Sequence, residues 1–157
     1  MDAIAAGSGA FLHGFTYNAH PISAAAGRAV LRYLETHTLI RAADSQTQGS
    51  PAQKLRHALD GLLDLPSVGD VRGVGLLLGA EFVADKKTKA PFAPEKNFAG
   101  RVGACAMQRG LLVYPMQGSV DGISGDHLLI APPAIITAEQ IAWAADQLRE
   151  AITEAAK

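Results

Sequence analysis

The chain has 157 residues, 48% of them apolar and 18% charged, with a net charge near −1. That length suits one globular domain with its own core and excludes a disordered chain, and the near-neutral charge gives no electrostatic case for nucleic acid or a membrane surface. The lone cysteine, Cys105, excludes an internal disulfide and fits a reducing, cytoplasmic setting, while no apolar run reaches the roughly 18 residues of a membrane span.

Residues 1–6 are short and apolar apart from Asp2, and read as the tail of a helix. A domain rarely begins that way, so we expect a chain whose true start is lost, or a start codon inside a longer gene. No basic stretch followed by an apolar core is present, so no secretory leader is expected.

A loop rich in glycine and aromatics follows, Gly7 to His20, and Pro21 stands where a first helical turn tolerates its missing N–H. Within it, Gly14 permits close backbone approach, Thr16 brings a hydroxyl and an N–H, and the helix start nearby favours an anion. The residues alone allow two readings: a phosphate-contacting loop, or an ordinary connection before a helix.

The first long helix is predicted over about 21–36, with Ile22, Ala25, Ala26, Ala29, Val30, Tyr33 and Leu34 at helical spacing. A second helical region spans 39–65 and is interrupted at Gly49-Ser50-Pro51, as a kink or a loop. Its second half carries a Leu55, Leu59, Leu62, Leu63 stripe.

Strands are predicted over 68–71 and 74–84, joined through Arg72 and Gly73. The run Gly69, Gly73, Gly75, Gly79 suggests a dinucleotide loop but fails: the third glycine would be residue 78, which is leucine, and a strand follows rather than a helix. Close packing of backbones explains these glycines better. Arg72 is expected to hold the turn through carbonyls, and Glu81 and Asp85 allow two readings: a pair on one strand face or, more often for such a pair, a solvated edge.

Residues 85–95 are charged and contain proline, so they form an exposed connection. A helix over about 96–109 places Phe98, Val102, Cys105 and Ala106 on one face and ends at Gly110. A short strand over 111–114, a glycine-rich loop over 115–126 and a strand over 127–131 come next. The last helix opens with the capping box Thr137-x-x-Gln140 and buries Ile141, Ala145, Leu148 and Ile152. The order of elements predicts an α+β layer: a mainly antiparallel sheet of three to four strands covered by helices.

The histidines and the cysteine lack metal-site spacing, and Ser124 lacks the glycine two residues on that a nucleophile elbow needs. A metal centre and a serine hydrolase are therefore disfavoured.

Four stretches in order carry a family resemblance. They are Phe11-x-His13-Gly14-Phe15-Thr16-Tyr17-x-x-His20-Pro21; Val71-Arg72-Gly73-Val74-Gly75 running to Glu81; Arg109-Gly110-Leu111-Leu112; and Gly125-Asp126-His127 running to Pro133. Together they resemble the C-terminal part of class III aminotransferases, pyridoxal-phosphate enzymes of fold type I. The resemblance implies a cofactor-phosphate and dimer-interface loop over residues 1–20. It also implies a small C-terminal domain over 21–157 that includes the long connecting helix.

In such enzymes the matching loop crosses the dimer, and the threonine equivalent to Thr16 contacts the phosphate of the other subunit's pyridoxal 5'-phosphate. Gly14, Phe15 and Thr16 are thus the implied cofactor-binding residues, for the phosphate alone. Tyr17 and His20 are expected to pack the loop at the interface. The family's Schiff-base lysine and ring-nitrogen carboxylate lie upstream of this loop, and none of the six lysines follows an apolar strand into a glycine-rich turn.

The resemblance therefore implies a fragment with no catalytic residue of its own. It would act in amino transfer between an amine or amino acid and a keto acid or aldehyde, in a homodimer or with an upstream lysine-bearing domain. Relatives of similar pattern include decarboxylases, racemases and aminomutases, so reaction type is carried by analogy. The family often has a carboxylate-binding arginine before Gly-Asp-His. Here that window is Val120-Asp121-Gly122-Ile123-Ser124, leaving Gly122 and Ser124 as the substrate-loop candidates. The competing reading is a non-catalytic α+β module with an interaction or dimerisation role.

Overall fold

A computed structural model describes residues 2–157. The residues up to His37 form one unit and Thr38–Lys157 another. In the first, helix α1 (Asp2–Ala6) leads into the loop and then helix α2 (Pro21–Thr36). Met1, which the helix-tail reading included, lies outside the described residues. Pro21 takes the first helical position as expected, and His20 caps the helix: its Nδ1 accepts the Ser23 N–H at 3.4 Å. No described residue of this unit is buried, so the apolar stripe of α2 faces solvent.

In the second unit, the Gly49-Ser50-Pro51 interruption is a loop rather than a kink. Helix α3 (Leu39–Ala42) ends well before helix α4 (Pro51–Asp60), and a 3-10 turn, Gly61–Asp64, continues α4. Ser50 decides this break: its hydroxyl accepts the Gln53 N–H at 3.1 Å and donates to the Asp44 carbonyl at 2.7 Å. A serine cap followed by proline at the first helical position starts a new helix.

Strands β1 (Val68–Val74), β2 (Leu77–Phe82), β3 (Tyr114–Met116) and β4 (Asp126–Ile130) form one sheet in the order β1-β2-β4-β3. Every pairing is antiparallel, in agreement with the α+β expectation. The β1–β2 turn sits three residues later than predicted. Val74 pairs with Leu77, and Gly75 takes φ +61° at the first central position, where a two-residue type II′ turn takes glycine. A bulge between Val68 and Asp70 lets Val68 and Val71 both reach the core. Gly69 lies in the bulge, and any Cβ there would come within 2.6 Å of the Val83 side chain.

Helices α4, α5 (Phe98–Gln108) and α6 (Ala138–Ala155) supply the other half of the core. Leu55, Leu59, Phe98, Val102, Leu148 and Ile152 pack with Leu78, Ala80, Phe82 and Leu128 of the sheet. The α6 capping box is present: Thr137 Oγ1 accepts the Gln140 N–H at 3.2 Å, and Gln140 Oε1 accepts the Thr137 N–H at 2.9 Å. Of the residues predicted as the strand 111–114 only Tyr114 lies in β3; the others complete the exit from α5, where the Leu111 N–H donates to the Ala106 carbonyl at 2.9 Å.

Among the described residues no helix is long and apolar enough to cross a membrane.

Candidate functional site

The two stretches singled out by sequence lie in different units. In the first, the Phe15 carbonyl accepts the Asn18 N–H at 2.9 Å, closing a turn with Thr16 and Tyr17 at its centre. Residues 5–19 are all exposed. Neither the Thr16 hydroxyl nor the N–H groups of Phe15 and Thr16 donate within the protein, among the described residues. Three adjacent donors therefore point to solvent, from a glycine-flanked turn just ahead of the α2 N-terminus. Three free donors with no carboxylate on the turn suit an anion.

The flanking aromatics are exposed too, Phe11 at 71%, Phe15 at 63% and Tyr17 at 72%. Together they form an exposed apolar patch on the loop. His20 does more than pack the loop: it caps α2 and lies edge-on to Tyr17, with ring centroids 6.0 Å apart. A histidine directly before a first-turn proline was the visible signal.

The second stretch, between β3 and β4, is a tight hairpin. The Val120 N–H donates to the Ser124 carbonyl at 3.0 Å, and Gly122 N–H to the Gly118 carbonyl at 3.1 Å. Asp121 organises it and was missed by sequence reasoning, although Asp-Gly-x-Ser is a turn signal. Its Oδ1 accepts the Ser124 N–H at 2.6 Å and the Ile123 N–H at 2.8 Å, and these bonds hold its pKa below the ordinary carboxylate range. The Ser124 N–H is thus committed to the hairpin, while Val120 and Ile123 project into solvent.

Asp126 anchors the hairpin's far end. It is 1% exposed, and its Oδ1 accepts the Ala99 N–H at 2.8 Å and the Gln117 amide at 3.2 Å. This single carboxylate joins β4 to the first turn of α5 and to the end of β3. Asn97, the residue before α5, makes no side-chain cap bond, so Asp126 caps that helix from 27 residues away.

On the open sheet face, Arg72 Nη1 bonds the Asp70 carboxylate at 2.8 Å and that of Glu81 as well. This corrects the expectation of carbonyl partners. Of the two readings of Glu81 and Asp85, a shared strand face is not seen: Asp85 is exposed, lies past the end of β2 and accepts the N–H groups of Lys87 and Thr88, each at 2.8 Å.

Three of the six lysines are engaged within the second unit. Lys86 Nζ donates to the Leu63 and Leu65 carbonyls, Lys89 Nζ to the Gly69 carbonyl, and Lys96 sits over the Phe92 ring. The donors around Thr16 fit a phosphate, and no lysine or carboxylate on that loop would hold a pyridine ring.

Comparison with known proteins bears on the same residues. A model of the family described as "Aminotransferase class-III" matches residues 1–152. The chain is 44% identical over 138 residues to the uncharacterized aminotransferase YodT of Bacillus subtilis, covering 87% of this chain and 30% of that protein. It is 43% identical over 141 residues to an uncharacterized aminotransferase of Schizosaccharomyces pombe, covering 89% and 29%. Among solved structures, the adenosylmethionine-8-amino-7-oxononanoate aminotransferase of Methanocaldococcus jannaschii superposes with a TM-score of 0.76 at 30% identity, over 94% of this chain and 31% of that one.

Proposed function

Because this chain belongs to the class III aminotransferases and spans about 30% of the length of the curated relatives it matches, we propose that it supplies the C-terminal part of a transaminase site. Class III aminotransferases use pyridoxal phosphate, which when bound supplies an electron sink for moving an amino group. Residues 1–20 act as the phosphate loop and 21–157 as the small domain with its connecting helix.

The observation that carries this reading is the turn at Thr16. Its hydroxyl, with the N–H groups of Phe15 and Thr16, would donate to the cofactor phosphate, and Gly14 leaves room for the approach. The exposed rings of Phe11, Phe15 and Tyr17 would be covered by a second subunit or by an upstream domain. The covalent lysine comes from that other polypeptide. The hairpin tip offers Val120 and Ile123 to the apolar body of an amine, with no guanidinium in 117–125 for a second carboxylate. The setting we infer is the cytoplasm.

Co-expression with a lysine-bearing upstream domain tests this. Restored amino transfer supports it. Thr16→Val should then weaken cofactor affinity about 10-fold, the worth of one charge-assisted hydrogen bond. The phosphorus NMR signal of the bound cofactor should move as well. Failure to associate favours a non-catalytic interaction module, a reading supported by the self-contained core of residues 38–157. A lysine-linked cofactor found by mass spectrometry on the isolated chain would refute the shared-site proposal.

A further inference from the structure

Away from both stretches, a cavity of about 350 Å³ opens where the start of β1, the end of β2, α5 and the last turn of α6 meet. Its floor is apolar. Val83 is 1% exposed, and Phe92 stacks on the buried Phe98 with ring centroids 4.3 Å apart. Its rim is cationic. Lys96, Arg101 and Lys157 line it, none of the three is in an ion pair among the described residues, and no carboxylate side chain lines the wall.

The nearest acids on α6 are engaged elsewhere, Glu150 and Glu154 both on Arg109. Lys96 Nζ stands 5.7 Å from the Phe92 ring centroid, so one cation is already held against the floor.

A second observation singles out Ser67. It is 8% exposed and lines the cavity, yet its hydroxyl makes no hydrogen bond among the described residues. Its carbonyl is satisfied by the Val83 N–H at 2.9 Å, which fixes the backbone and leaves the hydroxyl to the cavity. Unlike Asp126 Oδ2 and His127 Nδ1, which are fully buried and unpartnered among the described residues, the Ser67 hydroxyl reaches the solvent of the cavity and is free to bond an acceptor that enters it. Helix dipoles decide little here, because the positive end of α5 and the negative end of α6 meet at the same wall and oppose each other.

A bare inorganic anion would gain the rim but would lose water against Phe92 and Val83. A neutral ring would gain the floor and leave the cations unpaired. We propose that this cavity binds a small aromatic carboxylate, its ring against the accessible part of Phe92 and its carboxylate between Arg101, Lys96 and the Ser67 hydroxyl. The site owes nothing to the pyridoxal-phosphate reading and stands or falls separately from it.

The probe is sodium benzoate, titrated into the isotope-labelled chain at constant ionic strength while the amide signals of Ser67, Val83 and Ala155 are followed by NMR. Saturable shifts at those positions are expected, half-complete at about 1–10 mM. Inorganic phosphate and benzyl alcohol, as charge without ring and ring without charge, should each bind at least about 5-fold more weakly. Arg101→Gln and Ser67→Ala should each weaken benzoate about 3-fold. Arg101 is exposed, so its variant keeps the fold, and unmoved amide signals elsewhere verify this. Shifts that never saturate, an equal response to either control, or an unchanged affinity in Arg101→Gln would overturn the assignment.

Discussion

Asp126 shows how much one buried carboxylate can organise. Its Oδ1 serves the Ala99 N–H and the Gln117 amide, and no apolar residue of similar size could satisfy either. Asp126→Ala should therefore destabilise the chain by about 2 kcal/mol, since the buried Ala99 N–H loses its acceptor; urea unfolding gives the number directly. Asp70 sits in the opposite situation, half-exposed beside Arg72. The Arg72 hydrogen bond, first among several causes, holds the Asp70 carboxyl below its ordinary value of 3.8. A depressed folded-state pKa means the pair stabilises the fold above that ordinary value. The contribution is lost as pH falls through the lowered one. Unfolding midpoints measured from pH 6 downward to about pH 2 should fall less steeply for Asp70→Asn than for the parent chain, with a small difference because solvent screens the pair.

At the scale of elements, helices read clearly from sequence and strand ends did not. The α6 start followed from Thr137 and Gln140, both local, and Thr137→Ala should cost about 1 kcal/mol in denaturant unfolding. The β1–β2 turn was expected at Arg72-Gly73 because glycine also stands at 73 and 75. Which glycine turns the chain depends on register with β2, and Val74 opposite Leu77 places it at Gly75. That residue has φ +61°, and a Cβ there would overlap the Ala43 carbonyl. Gly75→Ala should thus destabilise by about 2 kcal/mol from backbone strain together with overlap. Strand β3 shifted for a similar reason: Leu111 is held by the end of α5, and pairing begins only where Tyr114 meets Leu129. Pro115 is tolerated because β3 lies at the sheet edge.

For the whole molecule, every buried residue among those described lies between 38 and 157. A chain shortened to 38–157 should keep the unfolding midpoint of the parent in urea. The exposed Phe11, Leu12, Phe15, Ile22, Val30 and Tyr33 should make the full chain self-associate at micromolar concentration, and light scattering after size exclusion should show less association for 38–157. The amino-acid sequence by itself determined the helix periods, the α+β order, the α6 capping box and the family motifs, because each is written in neighbouring residues. Only the tertiary structure decided that Arg72 meets carboxylates, that Asp126 caps a helix 27 residues away, and that Ser67 shares a cavity with Arg101. Those partners are far apart along the chain, and strand register and core packing, rather than local preference, bring them together.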